Sequence, residues 1–170
     1  MKYALPAIVA PTSRVLILGT LPGDQSLAAQ FYYVHPRNQF WRIVGTILGK
    51  ESGSTVAERT AFLHRHHLAL WDVLHAAERQ GSLDTAIQQA VPNDLQTFLT
   101  TYPAITTIGL NGGKAQQVFE RQVWPTLDHA LQARMVVHAL PSTSPANTQP
   151  FADKLAAWAV LLAAVQPPPA

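Results

Sequence analysis

Residues 14–18 read RVLIL, and the chain continues as GTLPG over residues 19–23. An apolar run of this length, ended by Pro22 and Gly23, predicts a buried strand that delivers a loop. Further apolar runs of the same kind lie at residues 68–74, 105–110 and 134–140. Because helical patterns separate the runs, the strands are expected to pair in parallel through right-handed crossovers. The prediction is an α/β fold, with an open sheet covered by helices on both faces.

The predicted helices carry start and stop signals. Apolar residues recur at helical spacing over residues 40–48, and Gly49 follows as a C-cap. Thr55 and Glu58 have the spacing of a capping box for the next helix. The last helix is expected to turn a single apolar stripe toward the core, formed by Phe151, Leu155, Trp158, Leu162 and Val165.

The composition limits the functional classes. The chain has 170 residues, of which 48% are hydrophobic, and this length suits one core. Residues 1–170 are therefore predicted to form a single domain, with a disordered proline-rich tail at residues 166–170. The absence of cysteine excludes disulfides, thiol nucleophiles, thiolate zinc sites and iron–sulfur clusters. A formal charge of +2 neither indicates nor excludes a nucleic-acid partner.

No segment has the pattern of a membrane anchor or a signal peptide. The longest apolar tract, residues 155–165, is too short to span a bilayer. The N-terminus lacks a charged stretch followed by an apolar one and a cleavage site. We therefore expect a soluble, cytoplasmic protein without a membrane partner.

Polar and glycine-rich segments follow the predicted strands, at the edge where such sheets bind ligands. Gly19 and Gly23 flank a turn whose backbone N–H groups can cradle an anion or a carbonyl oxygen. Aromatic side chains beside Arg37 and Asn38 suit a flat heterocycle. The alternatives are an ordinary turn and aromatic packing under a long loop. The candidate site comprises residues 19–38, 71–84, 111–114 and 141–147.

Histidine-rich sequence at residues 64–67 (HRHH) does not predict a metal site. The histidines are adjacent and no carboxylate pattern accompanies them, so a solvated helix end is favoured. We assign no metal and no cofactor.

Six runs occur in a characteristic order along the chain: GTLPG, YYVHPRNQFW, WDV, ERQGSLD, NGGKA and LPSTSPAN. Together they resemble the hypoxanthine-DNA glycosylase branch of the uracil-DNA glycosylase superfamily, over residues 14–165. The resemblance implies a three-layer α/β/α sandwich with a central four-stranded parallel sheet. It also implies an enzyme, free of metal, that flips a deaminated base out of DNA and cuts its N-glycosidic bond.

Asn38 matches the asparagine on which catalysis depends in that branch. An amide near the anomeric carbon can orient water while the sugar gains oxocarbenium character. Tyr33 falls where related enzymes place an aromatic ring against the flipped base, and Gly19, Thr20 and Leu21 supply the backbone edge of the same pocket. The alternative for Asn38 is a helix N-cap.

The sequence departs from the wider superfamily at two places. Thr20 and Leu21 stand where several relatives carry a carboxylate or an amide that positions water. Leu140 stands where relatives often carry His or Asn to stabilise the departing base. The hypoxanthine branch shares the first departure. Because the GTLPG loop then supplies no polar side chain to position water, catalysis is expected to depend on Asn38.

Asp72 lies inside an apolar run. A carboxylate buried there lowers the stability of the fold unless it is paired with another group, so it is expected to have a partner or a function. The resemblance places Asp72 at the edge of the base. An ionised carboxylate accepts the N1–H of hypoxanthine and rejects adenine, whose N1 is also an acceptor. The alternative is a structural Asp that is satisfied by backbone N–H groups or by Arg79.

Two segments are predicted to contact DNA phosphates. Asn111 and Gly113 open a helix whose free N–H groups attract anions, and Lys114 adds a cation. The alternative is a helix start with a solvated lysine. By resemblance, the second segment, residues 141–147, enters the minor groove. The predicted DNA-binding residues are Gly23, Asn111, Gly113, Lys114, Ser142, Thr143 and Ser144.

The sequence thus predicts a monomeric, monofunctional glycosylase whose partner is DNA containing a deaminated base, most of all hypoxanthine. A glycosylase acting mainly on uracil or xanthine is one alternative. A nucleic-acid-binding module without catalysis is another. A nucleotide-processing α/β enzyme is less favoured, because the Asp or Glu pair that such an enzyme needs for Mg²⁺ is not evident.

Overall fold

The computed structural model describes residues 1–165, so the predicted disordered tail lies outside the described residues. In chain order the strands and helices are β1 (Lys2–Tyr3), β2 (Val15–Gly19), α1 (Asp24–Ala29), α2 (Phe40–Leu48), α3 (Val56–Arg65), β3 (Leu68–Asp72), β4 (Leu74–Glu78), β5 (Gln88–Pro92), α4 (Leu95–Thr101), β6 (Thr107–Asn111), α5 (Gly113–Val118), α6 (His129–Arg134), β7 (Val136–Leu140), α7 (Phe151–Trp158) and α8 (Val160–Val165). Short 3₁₀ turns at Asp84–Ala86 and Trp124–Thr126 and a π-helical turn at Phe119–Val123 complete the described elements.

The central sheet has the strand order β3-β2-β6-β7, and every pair in it is parallel. The register pairs Gly19 with Asp72 and Asn111 with Leu140. Since the strands run the same way, their last residues lie together at one edge of the sheet. We call this the carboxyl edge, and the runs GTLPG, WDV, NGGKA and LPSTSPAN lie where the four strands of this sheet end.

Side chains of β2 alternate between two separate cores, as expected for a strand buried on both faces. Leu16 and Leu18 pack with apolar side chains of α4, α5 and α6. Val15 and Ile17 pack on the other face with α2, α3, α7 and α8. The predicted α/β/α sandwich is therefore confirmed.

A second, three-stranded sheet was not predicted. Its strand order is β1-β4-β5 and its pairs are antiparallel. The predicted strand at residues 68–74 is wrong at its end, because the chain leaves the central sheet after Asp72. The Val73 N–H donates to the Gly19 carbonyl and the Leu74 N–H to the Thr20 carbonyl, and β4 then pairs with β1 and β5. This bend carries residues 79–84 back over the GTLPG loop.

The last predicted helix is divided at Ala159 into α7 and α8. After the break Leu161 is buried in place of the predicted Leu162, which is half-buried, while Trp158 and Val165 are buried as predicted. Two helix caps agree with prediction: the Thr55 side chain accepts the Glu58 N–H, and Gly49 adopts a left-handed conformation at the end of α2. Within residues 1–165, no helix is long and apolar enough to cross a membrane.

Candidate active site

The candidate site lies at the carboxyl edge, where Gly19, Asp72 and Asn111 end three neighbouring strands. Gly19 is required by the close approach of two side chains. A Cβ atom on Gly19 would lie 2.7 Å from Asp72 Oδ1 and 2.9 Å from the Tyr33 hydroxyl oxygen. The structure therefore brings together three of the predicted base-binding residues, Gly19, Tyr33 and Asp72.

Tyr33 is held by packing in an uncommon backbone conformation. Its φ of 56° lies in the left-handed region, which a bulky residue seldom adopts. The ring contacts that of Phe40, with 4.3 Å between the centroids. Backbone strain of this kind persists only where the surrounding structure imposes it, and it is concentrated at functional sites.

Two buried polar atoms in this cluster have no hydrogen-bond partner within residues 1–165: Asp72 Oδ2 and the Tyr33 hydroxyl. Asp72 is only 3% exposed. The structural alternative for Asp72, satisfaction by backbone N–H groups or by Arg79, does not hold for this oxygen. A buried polar atom without a partner costs about 1–3 kcal/mol, so a ligand or a water molecule is needed to satisfy this oxygen.

Burial also changes the protonation of Asp72. Loss of water, and then the charge of Asp84, raise the pKa of Asp72 from 3.8 to about 7, and the charge of Arg79 opposes part of this shift. Burial, and then the charge of Asp72, raises the pKa of Tyr33, while the Asn111 side chain opposes this shift. A pKa of about 7 gives Asp72 both a protonated and an ionised form at neutral pH, because burial disfavours the charge. The predicted role of Asp72 in reading the base stays a prediction.

A clamp formed by Arg79 and Asp84 holds the GTLPG loop, and it was not predicted from the sequence. Arg79 is 6% exposed and donates from Nη1 to the Leu21 carbonyl (3.5 Å), from Nη2 to the Pro22 carbonyl and from Nε to the Gly81 carbonyl (3.1 Å). The run ERQGSLD belongs to the pattern of the resemblance, but by itself it suggests Arg79 only as a partner for Asp72.

Asp84 completes the clamp from the other side. Its Oδ2 accepts the Thr20 hydroxyl at 3.1 Å, and its Oδ1 lies 3.6 Å from Arg79 Nη1. Burial raises the pKa of Asp84, whereas the Thr20 hydrogen bond and the charges of Arg79 and Lys114 lower it. The clamp therefore places a carboxyl group beside Thr20, although the GTLPG loop itself contains none.

Thr20 and Leu21 are buried, and their side chains make contacts within the protein. The Thr20 hydroxyl is used by Asp84, and Leu21 packs in the core beside α4 and α5. Any contact of these residues with a base must come from their backbone, as expected from the sequence.

Asn38 is half-buried and lies just before α2. Its Oδ1 accepts the Phe40 N–H at 3.0 Å, which is close to the capping role given as the alternative, although the N-cap residue is Gln39. The Gln39 N–H donates to the Thr143 carbonyl at 3.0 Å. Asn38 therefore lies next to the PSTSPAN loop (residues 141–147), and its catalytic role stays a prediction.

The PSTSPAN loop is held by a neutral pair. Asn111 Nδ2 donates to Thr143 Oγ1 at 3.1 Å, and the Thr143 N–H donates to Asn111 Oδ1 at 3.0 Å. Thr143 is 0% exposed and Asn111 is also buried. Because each of these side chains is buried and hydrogen-bonded to the other, any contact with DNA has to come from their backbone, and DNA contact at Asn111 and Thr143 stays a prediction. They position the loop.

Ser142 and Ser144 are half-buried and shape the loop through short-range bonds. Ser142 Oγ accepts the Ser144 N–H, and Asn147 Nδ2 donates to the Ser142 carbonyl. The buried Lys154 holds the far end, because its ammonium group donates to the Asn147 carbonyl at 2.8 Å. Direct contact of the two serines with DNA stays a prediction.

The remaining predicted contacts lie beside this loop and beside the clamp. A Cβ on Gly113 would meet nothing within 4 Å, and the half-exposed Lys114 lies 3.4 Å from Gln117 Oε1. At Gly23 the turn is already covered, because Ser82 Oγ accepts the Asp24 N–H. DNA contact at Gly23, Gly113 and Lys114 stays a prediction.

Two other features lie away from the site. The HRHH run precedes β3 and is therefore at the opposite edge of the sheet, and no group of His, Asp and Glu in residues 1–165 is arranged to hold a metal ion. An open cleft of about 700 Å³ lies at the end of α2 and the start of α3, and no predicted site residue lines it.

Fold and site together define an α/β/α protein with unsatisfied buried polar groups at the carboxyl edge of its sheet. The sequence pattern of the uracil DNA glycosylase superfamily matches residues 6–166. The chain therefore belongs to this superfamily.

Named relatives and a solved structure agree. The chain is 36% identical over 115 residues to the hypoxanthine DNA glycosylase of Methanosarcina barkeri, covering 67% of this chain and 73% of the relative. It is 36% identical over 116 residues to the hypoxanthine DNA glycosylase of Methanosarcina acetivorans, covering 68% of this chain and 73% of the relative. It is also similar to a solution NMR structure of a provisionally assigned uracil DNA glycosylase from Methanosarcina acetivorans, with a TM-score of 0.81, 30% identity, and coverage of 96% of this chain and 98% of that one.

Proposed function

We propose that the protein is a monofunctional DNA N-glycosylase that removes hypoxanthine from DNA by hydrolysis and leaves an abasic site. Its family and the names of its relatives support this assignment. The proposal treats the chain as one catalytic domain that acts as a cytoplasmic monomer, without a metal or cofactor.

The observation that carries the proposal is the pair of unsatisfied atoms, Asp72 Oδ2 and the Tyr33 hydroxyl, at the carboxyl edge. Hypoxanthine presents an N1–H donor beside its O6 acceptor. An ionised Asp72 accepts the N1–H, and a neutral Asp72 accepts the N1–H with one oxygen and donates to O6 with the other. Either form gives the buried carboxyl group a partner, and the Tyr33 ring lies beside it for stacking.

Hydrolysis needs a water molecule at the anomeric carbon and charge stabilisation at the departing base. Water adds to the sugar carbon as the glycosidic bond breaks, and the base leaves with the bonding electrons and gains a proton. In this proposal Asn38 orients the water. The neutral form of Asp72 stabilises charge at O6 of the departing base by donating a hydrogen bond, a role for which Leu140 has no suitable group.

DNA is the macromolecular partner. We propose that Lys114, Gly113, Gly23, Ser142 and Ser144 contact its phosphates, while Asn111 and Thr143 hold the PSTSPAN loop in position. Phosphate contacts fix the register of a protein on the duplex without reading its sequence. Lesion choice therefore belongs to the pocket at Asp72 and Tyr33.

Uracil is the second candidate substrate. It also places an N–H donor beside a carbonyl oxygen, so the same carboxyl group can pair with it. The provisional assignment of the similar NMR structure points in this direction.

An excision panel tests the proposal. Duplexes that carry one inosine, uracil, xanthosine or adenine are incubated with excess protein and EDTA, and alkali then reveals abasic sites. We expect the fastest excision for inosine, with no strand break before alkali. Faster excision of uracil would replace hypoxanthine with the second candidate, and excision of no base would favour a module that only binds nucleic acid.

A further inference from the structure

A second polar surface lies outside the candidate site, in the open cleft of about 700 Å³ between α2 and α3. Three basic side chains line this cleft, Arg42, Lys50 and Arg59. Within residues 1–165, none of the three lies within 4 Å of a carboxylate, whereas Lys2 and Arg79 each do. A cleft whose basic groups are free of ion pairs is suited to a negatively charged ligand.

Contacts of α2 place one end of this cleft beside the PSTSPAN loop. The Gln39 N–H donates to the Thr143 carbonyl at 3.0 Å, and Arg42 is the third residue of α2. The Arg42 guanidinium carbon lies 3.7 Å from the centroid of the Phe151 ring, and Phe151 begins α7 shortly after the loop. Since a helical turn rises about 5.4 Å, Arg42 is about one turn from Asn38. The cleft therefore extends from the side of the pocket where Asn38 lies.

Arg59 reaches the same end of the cleft from the first turns of α3. Its guanidinium carbon lies 4.9 Å from the centroid of the Trp41 ring, and its Nε donates to the Gly53 carbonyl at 3.2 Å. Trp41 is itself fixed, because its indole N–H donates to the Tyr32 carbonyl and its ring is stacked on that of Phe31. An aromatic ring under a guanidinium fixes its plane, so the N–H groups at its edge are oriented before a ligand arrives.

Two carboxylates also line the cleft, Glu51 and Glu58, and they leave its formal charge at +1. Glu58 Oε1 accepts the Thr55 hydroxyl at 2.9 Å, in the capping box of α3, and Glu51 is exposed. Loss of water lowers the pKa of Arg59, and the charge of Glu58 opposes this shift. The cleft therefore favours an anion that lies against the arginines and away from Glu51.

The position of Lys114 indicates which anion fits. The helix that carries Lys114, α5, packs on one face of the central sheet, and α2 and α3 pack on the other face. The candidate site lies between them, at the carboxyl edge. A strand whose flipped nucleotide enters the site continues with phosphates on both sides of that nucleotide. Cations on both faces of the sheet therefore suit the two arms of one strand.

We propose that the cleft between α2 and α3 binds phosphate groups of the nucleic-acid strand on the Asn38 side of the flipped nucleotide, through Arg42 and Arg59. The inference rests on the proposed function, because it takes DNA as the partner, and it adds a contact surface to that of Lys114. A guanidinium suits this ligand because its planar edge donates two parallel hydrogen bonds to a phosphate. Lys50, just after the end of α2, continues the surface away from the pocket.

The first test measures the binding of undamaged duplex DNA at several salt concentrations for Arg42→Gln, Arg59→Gln and Arg65→Gln. Arg65 is the matched control, because it is an exposed arginine at the last position of α3 and does not line the cleft. Each cleft variant should lower the salt slope by about one and weaken binding about five- to tenfold in roughly 0.1 M salt, as for the loss of one phosphate contact. Arg65→Gln should bind as the wild type does.

Two further variants check the sign of the charge effect. Arg42→Lys should keep the salt slope, because it keeps the charge, and Glu51→Gln should strengthen binding. Since Arg42 is exposed, its variants test the proposal even if thermal melting shows that Arg59→Gln is unstable. Wild-type salt slopes for Arg42→Gln and for a folded Arg59→Gln would overturn the proposal.

A second test assigns the two arms of the strand. Inosine duplexes are extended on only one side of the lesion, and binding is compared for Arg42→Gln and Lys114→Ala. Arg42→Gln should weaken binding of the duplex extended on one side, and Lys114→Ala that of the duplex extended on the other. Equal losses for both duplexes with Arg42→Gln would contradict a surface on the Asn38 side.

Inorganic phosphate distinguishes a strand from a free anion. If phosphate raises the melting temperature of the wild type but not that of Arg42→Gln, while the salt slopes for DNA are equal, the cleft binds a free anion and the proposal is wrong. Excision of inosine reports separately on the proposed function. A wild type that excises no base, but whose cleft variants lose salt slope, would overturn the glycosylase and support the nucleic-acid surface.

Discussion

Two loops meet at the carboxyl edge and are held by different chemistry. The GTLPG loop is held by charged groups, since Arg79 binds its carbonyls and Asp84 binds Thr20. The PSTSPAN loop is held by the neutral pair of Asn111 and Thr143. Both arrangements position backbone, but only the charged clamp adds titratable groups near Asp72. This difference predicts that pH and base choice are linked on the clamp side, whereas the roles proposed for the neutral side, DNA contact and the positioning of water, do not depend on a titratable group.

The largest expected effect is on the neutral side, at Asn38. Asn38→Ala should lower single-turnover excision of inosine at least about a hundredfold, because loss of a positioned polar contact costs roughly 10²–10³ in rate. Binding of the lesion duplex should persist, and thermal melting provides the control for the cap at Phe40. A near wild-type rate would place catalysis on the clamp side instead.

Substitutions that remove the contacts holding each loop compare the stabilities that the charged clamp and the neutral pair provide. Arg79→Ala should destabilise the protein by about 2 kcal/mol, less than the roughly 3–5 kcal/mol typical of a fully buried pair because Asp84 is half-exposed. Thr143→Val should cost about 1 kcal/mol, the low end of the 1–3 kcal/mol range for a buried donor left without its acceptor, because the Thr143 N–H still donates to Asn111 Oδ1. Urea unfolding measures both, and equal losses would show that charge adds nothing to the clamp.

Asp72→Asn sharpens the link between pH and base choice. In the folded protein the pKa of Asp72 is raised to about 7, so the cost of burying its charge appears as pH rises from about 4 through 7. The variant should therefore gain stability over the wild type across that range, by on the order of a few kcal/mol above pH 7. Urea unfolding at pH 4 and pH 8 measures this difference.

The same variant should lose excision of hypoxanthine by roughly tenfold, because an amide N–H is a weaker donor than a carboxylic acid to the charge that develops on O6 of the departing base. Discrimination against adenine should narrow. In the wild type this discrimination should rise with pH through about 7, since only the ionised form rejects adenine. A discrimination ratio that is flat between pH 5.5 and 8.5 would contradict a reading role for Asp72.

The smallest effect is expected at Lys114. Lys114→Ala should weaken binding equally for lesion and normal duplexes and reduce the salt slope by about one, as for the loss of one phosphate contact. Titrations at several salt concentrations measure this. Unchanged binding throughout would leave Lys114 as a solvated residue beside Gln117.

Much of this protein could be predicted from local sequence. The apolar runs predicted the central strands and the sandwich, and the ordered motifs predicted the superfamily, both now confirmed. The motifs also identified Gly19, Tyr33 and Asp72, which the structure brings together. These features depend on short-range patterns of apolar, glycine and capping residues, and such patterns are visible within one segment of the chain.

Only the tertiary structure decided which partners the side chains at the carboxyl edge have. Arg79 binds the GTLPG loop rather than Asp72, and Thr143 is buried against Asn111. The raised pKa of Asp72 follows from the same arrangement, because burial and the nearby Asp84 set it. Each of these outcomes depends on contacts between distant segments and on the loss of water. Neither is encoded in the residue types of any one segment.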